Sequence, residues 1–525
     1  MTSKKFSAGR SGEGRGAAAF RIAALLLVFA AALAWRWHWA SRTQVYTYDS
    51  YYYLVLARNL RHAFSYSVAG HPHFKFMPLY PMSIAFLNLF IRDLDAAGKL
   101  SNVLFASACV FPIYGAGKTV FGHRAGLAAA ALFAFEPIST AWSSVPMSEG
   151  LFTLLICLGA LFFLQWMKGG RRNRLYLCAA VTGLSIVTRW EGFLFLGAVG
   201  VFLLAYWWKG RLRFSHLLLF SALALAPFLL FCLRNLVVFG TPLKSAYVEE
   251  ISNHPEQFAV YGTLGRLRRY LLFSGVDPVG ITRFPYQYGY LLVGYGGLAL
   301  ALLVRRTRPY ALFLSAWLLF VGPGHFFWYF TSVRFLFPAV PSLCLGGGAL
   351  LGVPWKGERC REKRGAVVSL YILAGAVVLV LALNARPVIN DIFLRNMRWL
   401  EDDTGGLAAK EALLWMKDNL GEEGVASNIG PITSFYLGRD AFFLGGWQGF
   451  EPADIRPDRL LEDCREKGVR YILTYAWEDD PRVGLEYAGV DPGLAEELVL
   501  VRTWYVPPQA EGNWPVYAFL FEVPF

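Results

Sequence analysis

F-R-I-A-A-L-L-L-V-F-A-A-A-L-A-W-R-W-H-W, residues 20–39, is long and apolar enough to cross a bilayer. A polar, basic tail, residues 1–19, precedes it. Ala32-Leu33-Ala34 has the small residues of a signal-peptidase site. The run nonetheless continues through Trp35, Trp37 and Trp39, which favours a retained anchor. Similar runs recur at about 99–117, 125–143, 149–167, 174–190, 192–208, 215–236, 286–304, 309–329, 334–353 and 366–384. The reading is a polytopic α-helical membrane protein with about eleven transmembrane helices. Composition agrees: 56% of the residues are hydrophobic and 17% charged, against about a quarter charged in soluble domains.

The net charge of +13 is not a nucleic-acid footprint, because basic residues fall in short clusters between apolar runs. With the N-terminus inside, Lys118/Arg124, Lys168/Arg171/Arg172/Arg174, Lys209/Arg211/Arg213, Arg305/Arg306/Arg308 and Lys356/Arg359/Arg361/Lys363/Arg364 all face the cytoplasm. The C-terminus is then outside, and residues 20–390 form the membrane domain, with outer loops at 40–98 and 237–285. Residues 391–525 read as an outer α/β domain: helices at Leu407–Leu420 and Leu460–Lys467, strands at Gly424–Ile429, Ala441–Leu444, Val469–Tyr475 and Val516–Val523. The seven cysteines include no C-x-x-C and set no metal or disulfide framework.

The first outer loop is the most unusual stretch. Y-T-Y-D-S-Y-Y-Y-L-V-L-A-R-N-L-R, from Tyr46, leads to H-P-H-F-K-F-M-P-L-Y-P, ending at Pro81. Tyr51–Phe64 has helical periodicity, and Met77–Phe90 reads as a helix lying at the membrane interface. Asp49 stands among Tyr46, Tyr48, Tyr51, Tyr52 and Tyr53. Desolvation there would raise its pKa and suit it to general-base work, and the tyrosines offer stacking faces for a sugar. Ionisable residues at membrane depth are functional candidates, and the outer ends of the spans supply Glu136, Glu149, Arg189, Glu191, Arg234 and Arg334. Lys75, Arg189, Arg234 and Arg334 suit a membrane-anchored phosphate, although snorkelling to head groups explains such residues too. His71 and His73 form an H-x-H pair, so a divalent metal stays open. Asp93-Leu94-Asp95 reads as a solvated turn.

D-S-Y-Y-Y-L-V-L-A-R-N-L (49–60) and F-K-F-M-P-L-Y-P (74–81) resemble the first outer loop of GT-C glycosyltransferases. The likeness is to the protein O-mannosyltransferase-like and aminoarabinose-transferase-like branch. P-M-S-E-G-L-F (146–152), T-R-W-E-G-F (188–193), R-N-L-V-V-F-G-T-P-L (234–243), V-R-F-L-F-P-A-V-P (333–341) and G-V-R-Y-I-L-T-Y (468–475) are similar to further family segments, in the family's order. Phe76-Met77 replaces one expected proline. The resemblance implies sugar transfer from a polyprenyl-phosphate donor to a protein or glycolipid acceptor, at the outer face of the plasma or inner membrane. It implies Asp49 as catalytic acid/base, Lys75 as a donor-phosphate contact, and Glu136 or Glu149 as the second acid. Tyr48, Tyr52, His73 and Glu191 are then the expected sugar or acceptor contacts. A transporter or flippase is the alternative, but no internal repeat supports it.

Overall fold

The computed structural model describes residues 15–43, 47–244, 285–323, 332–352, 406–445, 453–506 and 516–524, with short pieces between 265 and 281 and residue 389. The helices are α1 (Arg15–Ala40), α2 (Tyr48–Ala63), α3 (Leu79–Leu87), α4 (Leu94–Ala108), α5 (Val110–Val120), α6 (His123–Ala134), α7 (Pro137–Trp142), α8 (Glu149–Gly169), α9 (Arg172–Ile186), α10 (Gly192–Trp208) and α11 (Phe214–Phe239). After them come α12 (Pro285–Leu303), α13 (Arg308–Val321), a 3-10 segment (Val333–Ala339) and α14 (Val340–Gly352). The expected spans up to 334–353 fall mainly on helix where the residues are described; 324–329 of the span at 309–329, and the one at 366–384, lie outside the described residues. Five helical stretches are long and apolar enough to cross a membrane: Ala18–Ala40, Leu94–Val120, Glu149–Gly169, Phe214–Phe239 and Arg334–Leu351.

Lipid provides no hydrophobic drive between helices, so close backbone packing has to hold them together. Glycines on α12 and α14 allow it. A Cβ on Gly346 would lie 2.3 Å from the Gly294 carbonyl oxygen, and one on Gly348 would lie 2.3 Å from that of Ala125. The apolar run at 125–143 is not one rod. It breaks at Phe135–Glu136, where Pro137 starts α7. The interface helix expected at Met77–Phe90 is only α3, because Pro78 precedes it and the chain turns after Leu87.

The C-terminal part holds α15 (Gly406–Asn419), β3 (Gly424–Ser427), α16 (Gly430–Leu437), β4 (Phe442–Phe443), α17 (Leu460–Lys467), β5 (Val469–Ala476), α18 (Pro481–Tyr487), β6 (Val499–Val506) and β7 (Val516–Glu522); β1 (Ser67–Val68) and β2 (His71–Pro72) form a small hairpin before α3. The five-stranded sheet runs β4-β3-β5-β7-β6, with β4, β3 and β5 parallel and β7 and β6 antiparallel to their neighbours. Central β5 is buried at all but one position, as a strand covered on both faces must be. Helices α16 and α18 and edge strand β6 were not anticipated from sequence.

This part docks on α2. Arg58 donates to the Ser434 carbonyl at 2.6 Å and to Asp440 at 2.5 Å. The Tyr51 and Tyr436 hydroxyls lie 3.3 Å apart, and His71 Nε2 lies 2.7 Å from Asp454 Oδ1.

Candidate active site

Thr47 starts α2, its Oγ1 accepting from the Ser50 amide at 3.2 Å. That cap places Asp49 in the first turn of a helix rather than in a loop, where a carboxylate complements the macrodipole. The Arg334 guanidinium donates to Asp49 Oδ2 at 2.9 Å. Arg334 is held by the 3-10 segment, which Ser332 caps by accepting from the Arg334 amide. Lys75 and Arg189 add positive charge around the same carboxylate. The expectation of a raised Asp49 pKa is therefore corrected. Burial pushes it up, but Arg334, Lys75 and Arg189 outweigh burial and hold it below the usual carboxylate range. Asp49 is an ionised, partly exposed acceptor, with 24% of its side chain exposed.

A second charged cluster adjoins the first. Arg189, in the turn between α9 and α10, donates to Glu149 Oε1 at 2.8 Å, Ser148 Oγ at 2.9 Å and Glu191 Oε1 at 2.5 Å. Glu149 is 1% exposed at the start of α8. Its Oε2 has no hydrogen-bond partner among the described residues. The Tyr53 hydroxyl, 3.0 Å from Ser148 Oγ, links this cluster to α2. Asn102 fixes the turn leading into α8: its Nδ2 donates to the Trp142 and Val145 carbonyls, and its Oδ1 accepts from the Gly150 amide at 3.0 Å. A Cβ on Gly150 would lie 2.1 Å from that Oδ1. Ser148 and Asn102 escaped the sequence reading, and Tyr53 was read only as one of the tyrosines around Asp49. Tyr53 was findable, since it stands one helical turn after Asp49 once the helix is known to start at Tyr48.

Other candidates are engaged elsewhere. Glu136 caps α7, accepting from the Ile138 amide at 3.1 Å and the Ser139 amide at 2.6 Å. Buried Arg36 closes the preceding helix, donating to the Ala134 and Phe133 carbonyls and to Ser139 Oγ. Glu136 thus stands at a helix N-terminus, where its charge has a structural use, and not beside the carboxylates of the charged clusters. Arg234 donates to the His73 carbonyl at 2.7 Å and covers the Tyr66 and Phe239 rings. It braces the loop carrying Lys75 and is not in the Asp49 pair. Glu191 is bound to Arg189.

His73 is buried, and its Nε2 accepts from the Phe76 amide at 3.1 Å. Burial, with help from Lys75 and Arg234, lowers its pKa to about 3, so the ring is neutral. Tyr52 packs against Tyr48, His73 and Phe76, and both tyrosines are buried. Rings so enclosed offer no open face to a sugar, contrary to expectation. Asp93 caps α4, and Asp95, in its first turn, pairs with Lys99 at 3.0 Å, so the stretch read as a solvated turn is a helix start.

The donor set does not suit a metal. His71 and His73 turn to different partners, and Asp49 and Glu149 each already face a guanidinium. Among the described residues no three His, Cys, Asp or Glu side chains converge.

Residues 71–232 match the family described as dolichyl-phosphate-mannose-protein mannosyltransferase. No curated protein matches the sequence. Three solved structures share the fold. ArnT from Cupriavidus metallidurans, bound to undecaprenyl phosphate, has a TM-score of 0.60 at 14% identity, over 96% of this chain and 98% of that one. AglB, the oligosaccharyltransferase of Archaeoglobus fulgidus in complex with an inhibitory peptide and a dolichol-phosphate, has 0.58 at 13%, over 95% and 74%. The arabinofuranosyltransferase AftD from Mycobacteria has 0.51 at 14%, over 95% of this chain and 41% of that one. Apolar helices, these folds and the family match agree with the resemblance carried by the motifs: the chain is a membrane protein with the GT-C glycosyltransferase fold.

Proposed function

We propose that the chain transfers a sugar from a polyprenyl-phosphate donor to an acceptor hydroxyl at the extracytoplasmic face of the plasma or inner membrane, with inversion. One observation carries the reading: an ionised, partly exposed Asp49 paired with Arg334 and flanked by Lys75, in the first helix after the first span. The solved folds bound to undecaprenyl phosphate and dolichol-phosphate support the donor class. The peptide-bound relative makes a protein a reasonable acceptor, with a glycolipid the second choice. The basic clusters on alternate loops support an inside N-terminus, an outside sheet and the boundaries at 20–390 and 391–525.

The chemistry follows from charge exchange. A donor phosphate competes with Asp49 for Arg334 and draws on Lys75. The carboxylate so released accepts a hydrogen bond from the acceptor hydroxyl. The hydroxyl oxygen attacks the anomeric carbon, the carbon–oxygen bond to phosphate breaks, and the phosphate leaves with its electron pair. The hydroxyl proton passes to Asp49. Each preorganised cation at the departing phosphate contributes on the order of 3 kcal/mol, and the base contributes roughly 100-fold to 10,000-fold. Arg189, bound to Glu149 and Glu191, shapes the wall of this site. The test is to incubate the purified protein with a panel of polyprenyl-phosphate sugars. One should be consumed, and the Asp49→Asn variant should consume none while still binding it. Near-normal turnover by that variant would overturn the assignment.

A further inference from the structure

Twelve residues beyond Asp49, about 18 Å along α2 at 1.5 Å per residue, a second polar recess opens. It is a cleft of about 280 Å³ between the end of α2, the α3–α4 turn and the Phe435–Gly438 end of α16. Arg58, Arg61, His62 and Arg92 line it, with Asp93 and Asp95 opposite. Both acids are committed. Asp93 accepts from the first amides of α4, and Asp95 pairs with Lys99. Arg58 is likewise committed to Asp440. Among the described residues Arg61 is held only by Asn88, at 2.5 Å. The Arg92 guanidinium and the His62 ring have no partner among the described residues. The cleft therefore presents two guanidiniums, Arg61 and Arg92, that no carboxylate pairs with among the described residues, beside the Asp93 and Asp95 carboxylates.

Its rim is apolar and outward-facing. Phe64, next to His62, is 92% exposed in a left-handed helix cap. Phe90, between Asn88 and Arg92, is 73% exposed, and Phe86 and Leu89 beside it are also exposed. The Arg61–Asn88 hydrogen bond brings these two rims together, and Asn88 holds the turn by donating to the Ile91 and Arg92 carbonyls. Leu94, which lines the cleft, begins a segment long and apolar enough to cross the membrane. The recess thus lies at the end of a stretch that is long and apolar enough to cross a membrane.

We propose that this cleft binds the phosphate of an anionic membrane lipid. Arg61 and Arg92 hold the phosphate oxygens, and Phe64, Leu89 and Phe90 lie against its acyl chains. Arginine forks match phosphate geometry, and exposed aromatic and aliphatic side chains beside them are the usual boundary anchors. The site is separate from Asp49 and does not depend on the transferase reading.

The test uses the full-length protein in detergent, loaded with phosphatidylglycerol, and reads retained lipid by native mass spectrometry. Wild type should retain it, and phosphatidylcholine should be retained far less. Arg92→Gln, at an exposed position, should weaken retention about tenfold, and Arg61→Gln/Arg92→Gln further. Phe64→Ser/Phe90→Ser should also weaken it, whereas inorganic phosphate at millimolar concentration should not displace the lipid. Equal retention by Arg92→Gln and wild type, or displacement by inorganic phosphate with no effect of Phe64→Ser/Phe90→Ser, would overturn the proposal.

Discussion

Asp49 shows neighbours reversing what burial alone predicts, and His73 shows neighbours reinforcing it. Both are enclosed, yet Asp49 keeps its charge because Arg334 faces it, while His73 loses its charge to burial, with Lys75 and Arg234 adding to the effect. For Asp49 the folded pKa lies below the ordinary value. Its pairing therefore stabilises the protein fully above about pH 4 and is lost as pH falls through the folded value. No limb from Asp49 should appear in kcat/KM between pH 5 and 8. His73 works the other way. The unfolded ring takes a proton near pH 6.5, whereas the folded ring resists until about pH 3. Stability should fall as pH drops below 6.5, by up to ~1.4 kcal/mol per pH unit from this group. His73→Gln should flatten that slope in thermal unfolding between pH 6.5 and 4, and an unchanged slope would show that another group sets it. The Asp49 sign was not legible in sequence, because its counter-ion is 285 positions away.

At the scale of elements, the breaks between helices decide the site. The apolar spans were legible because hydropathy is local. The joints were not, because a cap is decided by one or two hydrogen bonds. Glu136-Pro137 looked like a helix end and is a helix start, with Pro137 in the first turn. Glu136→Ala should therefore cost ~1 kcal/mol or more in stability, with turnover per folded molecule kept. A loss of turnover without a loss of stability would restore Glu136 as the second acid. The joint into α8 is tighter. Gly150→Ala drives a methyl into Asn102, and overpacking of this kind costs ~1–3 kcal/mol. Melting temperature and turnover should both drop, because Glu149 precedes the displaced residue. In the C-terminal sheet, β5 and β7 were readable from their apolar runs. Strand β6 was missed because its side chains are mostly exposed and its sequence follows no simple burial pattern.

Over the whole molecule, one helix serves two bodies. Its first turn carries Asp49, and its later residues Tyr51, Arg58 and Asn59 meet α16 and Asp440. Arg58→Ala removes the bonds to Ser434 and Asp440 at once. Limited proteolysis should then cut the C-terminal part faster, and kcat should fall while Asp49 itself is untouched. Faster cleavage with unchanged kcat would mean that the docking steadies the sheet alone.

The separation of Asp49 from Arg334 also sets a clock during synthesis. At roughly 5–20 residues per second, the ribosome needs about 15 s to a minute to deliver the guanidinium after the carboxylate. Through that interval the nascent chain carries Asp49 without its counter-ion from Arg334. The charge pair forms only after most of the helices have been inserted, so a chain halted before Arg334 holds the acid without the group that the departing phosphate would need.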